Sequence, residues 1–375
     1  MCLNIKVPSL NFVIIKPMDK IKITLKDLGY DDFFESRRKN LGLINYPAAR
    51  VVAEYREIYK VRNNEGEFLA KVTGKHMFAA TKREDYPAVG DWVTIEILSE
   101  KKAVIRGILP RKTILKKKYS NRQENQIIAT NIDTAFIVES MDRDYNLNRF
   151  ERFLVLAIEG NITPVFILNK TDLISHIELN DRVAKIQKRF NTVVIITTST
   201  ISEEGLYELK KYIKKGKTYC FLGSSGVGKS SLINKLLQKE EIKTREMGMI
   251  TGKGRHTTTT REMYFLENGG LVVDNPGTRE VGIADSDMGI EVVFDEISHL
   301  SKECKYSDCT HINEPGCIVL KAVKEEELDK EKYTNFIKLK KEAEFYKMTN
   351  LEKRKKDRKF GQFIKKAKKS LEIIR

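Results

Sequence analysis

A loop fitting Gly-x4-Gly-Lys-Ser, Gly223-Ser224-Ser225-Gly226-Val227-Gly228-Lys229-Ser230, lies downstream of the tetrapeptide Asn169-Lys170-Thr171-Asp172 in this 375-residue chain. Thr218-Tyr219-Cys220-Phe221-Leu222 before the loop reads as a buried strand, and Ser231-Leu232-Ile233-Asn234-Lys235-Leu236-Leu237 after it has helical spacing. Strand, glycine loop and helix together make a phosphate cradle, because glycines let backbone N–H groups approach the anion and the helix N-terminus adds positive potential. Lys229 is then placed to reach the β- and γ-phosphates, and Ser230 to ligate Mg²⁺.

Asn169 to Asp172 follow the apolar run Pro164-Val165-Phe166-Ile167-Leu168, so they sit at the C-terminal end of a strand, where open α/β sheets bind ligands. Asp172 can accept from guanine N1–H and N2–H₂, Lys170 can lay its stem along the base, and Asn169 can tie neighbouring loops. Alone the tetrapeptide is a polar turn. Beside a phosphate loop it specifies guanine. Val193-Val194-Ile195-Ile196 forms a further strand, ending in Thr197-Thr198-Ser199, which resembles the loop that backs guanine O6. Leu271-Val272-Val273-Asp274-Asn275-Pro276-Gly277 is a strand ending in Asp-x-Pro-Gly, where Asp274 would hold Mg²⁺ through water and the Gly277 amide would sense the γ-phosphate. Between them, Gly252 to Thr260 is a basic loop with a threonine run, from which Thr258 is expected to close on Mg²⁺ in the GTP state. The same threonines also suit a β-edge.

The order is therefore base motif, base-backing loop, phosphate loop, first switch, second switch, whereas in ordinary small GTPases the phosphate loop precedes the base motif. Circular permutation permits this, since domain termini commonly lie close together at the surface.

Cys304, Cys309, His311 and Cys317 follow with the spacing Cys-x4-Cys-x-His-x5-Cys. Such a cluster reads as metal ligation rather than a disulfide framework. Three thiolates and an imidazole close a tetrahedral Zn²⁺ shell with no open position, so the site is expected to be structural. Metal binding there could supply on the order of 10 kcal/mol of folding energy. Reactive thiols are the alternative. Cys220 reads as a packed strand residue.

These permuted motifs, with Gly254-Arg255-His256-Thr257-Thr258-Thr259 before Asp274-Asn275-Pro276-Gly277 and the Cys, Cys, His, Cys knuckle beyond, resemble the ribosome small-subunit-dependent GTPase A family of bacteria, over about residues 25 to 363. The resemblance implies a late-acting assembly GTPase that binds the 30S subunit and leaves when GTP is hydrolysed.

Val51 to about Leu115 holds several short runs of alternating apolar and polar residues, which suits a small barrel, an OB-fold being the natural candidate. Trp92 reads as core, and Lys71, Lys75, His76, Lys82 and Arg83 as candidates for an RNA face. Residues 112 to 130 read as a connection. Thr134 to Val138 is the expected first strand of the nucleotide domain, followed by a helix over Leu147 to Glu159. The expected fold is a circularly permuted α/β P-loop GTPase domain (118–285), preceded by an extension (1–45) and an all-β OB-fold barrel (46–117), and followed by a small zinc-binding α-helical domain with a basic C-terminal helix (286–375).

Net charge is +16, and residues 321 to 375 contribute 19 basic against 10 acidic side chains, so RNA phosphates are the expected partner of the tail. Its aromatics, Phe336, Phe345, Tyr346, Phe360 and Phe363, are expected to pack on the metal domain instead. Asn11 to Ile15 is too short for a membrane span or signal peptide, and Met18 could be the true start. A cytoplasmic monomer without membrane contact is expected, with reduced thiols suited to zinc. Thr278 stands where Ras-like enzymes carry the water-orienting glutamine, so slow intrinsic turnover, raised by the subunit, is expected. His256 could help position water, though a solvated switch histidine is the plainer reading. Two other readings stay open at this point: an RNA-binding chaperone in which hydrolysis is incidental, and an ATP-dependent enzyme sharing only the phosphate loop.

Overall fold

The computed structural model describes residues 23–55, 57–118, 125–142, 145–238, 261–274 and 286–349, together with 352, 355, 358 and 364. Helix α1 (Asp32–Asn40), capped by the Asp31 carboxylate accepting from the Phe33 amide, precedes strand β1 (Ala48–Tyr55). β2 (Ile58–Arg62), β3 (Glu67–Val72), helix α2 (Gly74–Ala79), β4 (Trp92–Ser99) and β5 (Lys102–Ile108) complete the first unit. β1 pairs with both β2 and β4, and β3 runs parallel to β5, so the order β1-β2-β3-β5-β4-β1 closes a five-stranded barrel. Alternation turns Tyr59, Val61, Phe68, Ala70, Val93, Ile95, Ala103 and Ile105 inward.

Trp92 is fully buried, as expected of a core residue, but it packs with Leu28, Phe34, Ala48 and Leu109 outside the main barrel core. Residues 28 to 34 of the expected N-terminal extension therefore belong to a packed layer. Tyr30 meets the Trp92 ring edge-on at 4.7 Å between centroids.

Where a connection was expected, β6 (Ile114–Lys118) and β7 (Asn125–Thr130) form a two-stranded antiparallel sheet. The nucleotide unit follows with β8 (Thr134–Ser140), α3 (Leu147–Glu159), β9 (Thr163–Asn169), α4 (His176–Arg189), β10 (Val194–Thr198), α5 (Leu206–Tyr212), β11 (Thr218–Leu222), α6 (Lys229–Leu237), β12 (Arg261–Phe265) and β13 (Leu271–Asp274). Strand order is β10-β9-β8-β11-β13-β12, parallel except for the antiparallel β12. Period-two alternation divides the sheet: Phe136, Val138, Tyr219 and Phe221 face α5 and α6, while Ala135, Ile137, Cys220 and Leu222 face α3. β12 also pairs with β1, through Ala53 opposite Glu262 and Glu54 opposite Arg261, so the barrel and the nucleotide sheet share one hydrogen-bonded ladder.

The C-terminal unit contains α7 (Asp287–Val293), α8 (Asp295–Ser301), α9 (Ile318–Lys324) and α10 (Lys330–Lys347). It shares its core with α3. Gly289 of α7 lies so close that a Cβ there would come within 2.5 Å of the Val155 carbonyl oxygen, and its amide donates to Glu159 at 2.9 Å. Phe336 of α10 is buried against Phe294, so this aromatic packs in the domain as expected. Phe360 and Phe363 lie outside the described residues. Among the described residues no helix is long and apolar enough to cross a membrane.

Candidate nucleotide and metal sites

Because β8, β9, β10, β11 and β13 are parallel, their C-terminal ends share one edge of the sheet, and the sequence motifs gather there. Ser140 lies opposite Asn169, and Asn169 opposite Thr198. The Asn169 side-chain amide donates to the Val227 carbonyl at 2.8 Å, and its oxygen accepts from the Thr198 hydroxyl at 3.1 Å. The base motif is thereby joined to the phosphate loop. Gly228 makes this approach possible: its φ is +96°, and a Cβ would stand 2.2 Å from the Asn169 nitrogen.

Asp172 is fixed by Ser199, whose hydroxyl donates to Asp172 Oδ1 at 2.5 Å and accepts from the Ile201 and Ser202 amides, both at 3.1 Å. The Ser199 amide itself donates to the Glu204 carbonyl at 3.0 Å, leaving the Thr200 amide as the next donor on that loop. Thr171, buried behind the motif, donates its hydroxyl to the Thr198 carbonyl at 3.3 Å. Lys170 adopts the left-handed region, φ 62°, and its ammonium pairs with Asp142 at 3.0 Å. Ser140 braces Asp142 from the other side, donating at 2.9 Å.

Val227 is buried, whereas Ser225 and Gly226 are exposed and Ser224 is half-buried. The Lys229 ammonium donates to the carbonyls of Gly223 at 2.8 Å and Ser224 at 2.5 Å, which braces the loop. Ser230 and Ser231 occupy the first turn of α6, half-buried. Asp274 ends β13 beside β11, whose Cys220 lies opposite Val273. Thr258 and Gly277, with His256 and Thr278, lie outside the described residues.

Two acids escaped the sequence reading. Asp142 pairs with Lys170 as described. Glu139, fully buried near the end of β8, accepts from Arg149 Nη1 at 2.8 Å, while its Oε2 has no hydrogen-bond partner among the described residues. Burial pushes this carboxyl up to about 7, against the lowering influence of Arg149 and Lys229. Their only signal in sequence is position, polar side chains just where a buried strand reaches the ligand edge.

The second site is the knuckle between α8 and α9. The ligand atoms of Cys304, Cys309, His311 and Cys317 all lie within 4.8 Å of one another, and the set could hold a metal ion. Sγ of Cys304 and of Cys317 stand 3.6 and 3.5 Å from His311 Nδ1 and 3.9 Å from each other. Burial holds the His311 ring below its ordinary pKa, favouring the neutral form that has a lone pair to give. Tyr333 of α10 donates to the His311 carbonyl at 2.6 Å, tying the knuckle to the long helix.

Comparison with known proteins agrees with this geometry. A family model described as RsgA GTPase matches residues 108–284, and one described as 50S ribosome-binding GTPase matches 218–371. Small ribosomal subunit biogenesis GTPase RsgA 1 of Bacteroides thetaiotaomicron is 38% identical over 323 residues, covering 85% of this chain and 90% of that protein. Small ribosomal subunit biogenesis GTPase RsgA 2 of Lactiplantibacillus plantarum is 40% identical over 314 residues, covering 83% and 88%. Among solved structures, YjeQ from Thermotoga maritima matches with a TM-score of 0.57 and 29% identity, over 80% of this chain and 97% of that one. YloQ, described as a circularly permuted GTPase, shares the fold with a TM-score of 0.55 at 22% identity, over 80% and 95%. With its nucleotide motifs on one sheet edge in permuted order and relatives matched over most of their length, the chain belongs to the RsgA GTPase family.

Proposed function

We propose that this GTPase binds the small ribosomal subunit late in its maturation and departs once GTP is hydrolysed. The Asn169–Val227 bond carries the catalytic part of the reading, because it unites a guanine motif with a phosphate loop. The partner is supported by the relatives' names and by a net charge of +16, suited to ribosomal RNA.

In this reading Asp172 accepts from guanine N1–H and N2–H₂, and the Ser199 hydroxyl keeps the carboxylate oriented. The Thr200 amide is the donor nearest to hand for guanine O6. Gly223 to Ser231 wrap the phosphates, the Lys229 ammonium reaches the β- and γ-phosphates, and Gly277 senses the γ-phosphate. Ser230, Asp274 and Thr258 would hold magnesium, which when bound neutralises charge on the phosphates. Ser230 and Asp274 fit this role, an oxygen donor each on neighbouring elements at the ligand edge. With Thr278 in place of a water-orienting glutamine, the free protein turns over slowly and the subunit completes the site.

The metal we assign to the knuckle is one structural zinc. Zn–S bonds of about 2.3 Å and Zn–N bonds of about 2.0–2.1 Å at tetrahedral angles require S–S edges of about 3.8 Å and S–N edges of about 3.6 Å. The separations of 3.9, 3.6 and 3.5 Å fit. We further propose a monomer acting in the cytoplasm, where thiols stay reduced.

Co-sedimentation tests the partner. With a non-hydrolysable GTP analogue the protein should pellet with small subunits and not with large ones, and GDP should release it. Retention by large subunits alone would overturn the reading. Lys229→Ala separates a timer from a chaperone: a GTPase timer fails to cycle on and off the subunit, whereas a chaperone with incidental hydrolysis cycles normally.

A further inference from the structure

The connection between β3 and β4 carries α2, where Phe78 leaves 96% of its surface open and Met77 leaves 47%. Phe78 is the most exposed large hydrophobic among the described residues. A phenyl ring held in water forgoes hydrophobic stabilisation that nothing among the described residues restores.

The charges around it are distributed unevenly. On the barrel strands, Lys60 and Arg62 pair with Glu67 and Arg106 with Glu96, and Arg83, at the far end of the connection, pairs with Glu54. Lys71 on β3 and Lys75 on α2 are exposed and have no ion-pair partner among the described residues, and Lys82 just beyond α2 is exposed as well. An open ring on a connection with exposed lysines, Lys71 and Lys75 among them without an ion-pair partner, matches a base beside its phosphates: the ring offers a stacking face and the lysines meet the backbone. The adaptable thioether of Met77 widens the apolar face without adding charge.

We propose that Phe78 is a stacking platform for one unpaired RNA base, with Lys71, Lys75 and Lys82 holding the adjoining phosphates. The proposal rests on the ribosomal reading above for the identity of the RNA, and it centres the contact on the α2 connection and the adjoining end of β3. Stacking of this kind tolerates any base, so the contact reads an extruded nucleotide and not a sequence.

The test uses the full-length protein, purified small subunits and a fluorescent single-stranded oligoribonucleotide, titrated over a salt series. Phe78→Ala should weaken both associations about 5- to 150-fold without changing the salt slope. Phe78→Trp should preserve them. Lys75→Ala should lower the salt slope by about one. Thermal unfolding should be the same for all three variants, since neither side chain is packed. A photo-crosslinking residue at position 78 should label RNA. Unchanged binding by Phe78→Ala, or crosslinks to ribosomal protein alone, would overturn the stacking platform. If wild-type protein ignored small subunits, the proposed function would fail instead, and the oligoribonucleotide titration would still decide the platform by the same comparison.

Discussion

Asn169 and Val227 stand 58 residues apart in sequence and share a 2.8 Å hydrogen bond between the end of β9 and the phosphate loop. The segments proposed to read the base and the phosphates are thus mechanically one unit despite the permuted order. Asn169→Ala removes one partner of a buried hydrogen bond, a change worth about 1–3 kcal/mol. GTP and GDP affinity should fall alike, by about 5- to 150-fold, in a nucleotide titration. A loss confined to GTP would contradict this placement.

Asp172→Asn exchanges an acceptor for a donor where guanine presents donors. We expect GTP binding to weaken about 100-fold or more, from two hydrogen bonds to a charged group, and XTP binding to strengthen because xanthine carries an oxygen at C2. Competition between the two nucleotides reads the outcome. Equal loss of both would mean that the variant had merely damaged the loop.

Glu139 gives a pH signature. Its carboxyl is raised from 4.5 to about 7 by burial, so between those values the folded protein holds a proton that the unfolded chain has released. Stability should fall as pH rises through that window, by up to about 1.4 kcal/mol per pH unit. Glu139→Gln keeps an acceptor for Arg149 and should flatten the slope. Denaturant titrations at pH 5, 6 and 7 compare the two proteins, and parallel curves would refute the assignment.

Glu151 of α3 joins three helices: it accepts from Arg189 of α4 at 2.7 Å and from Asn335 of α10 at 2.5 Å, with its own side chain fully buried. Glu151→Ala leaves Arg189, only 10% exposed, without its ion-pair partner and with only its bond to Asn148, and should destabilise the protein by about 3–5 kcal/mol in chemical denaturation. A change within about 0.5 kcal/mol would show that the network contributes little.

Stripping the metal with a chelator, or Cys309→Ser, should abolish a one-to-one metal content by elemental analysis. It should also accelerate hydrogen exchange over residues 302–324, while β9 and β10 stay protected. Loss of protection throughout the chain would mean that the knuckle supports more than its own domain.

What the sequence revealed and what it concealed have physical reasons. Phosphate binding and metal ligation depend on residue types at short spacing, so Gly223 to Ser230 and Cys304 to Cys317 are legible from local pattern. The barrel was legible as alternation, because one face of each strand is buried. Its packed N-terminal layer was not, since α1 is short and polar, and the burial of Phe34 depends on Trp92, 58 positions away. Glu139 and Asp142 were missed for a related reason: their meaning comes from Arg149 and Lys170, which reach them only through folding. Thr258 and Gly277, whose proposed roles come from motif order alone, lie outside the described residues.

The most direct test of the whole account is the rate of GTP hydrolysis with and without purified small subunits across a salt series. Slow turnover alone, a rise on adding small subunits, and loss of that rise with increasing salt are predicted. A rate that small subunits leave unchanged at low salt would contradict it.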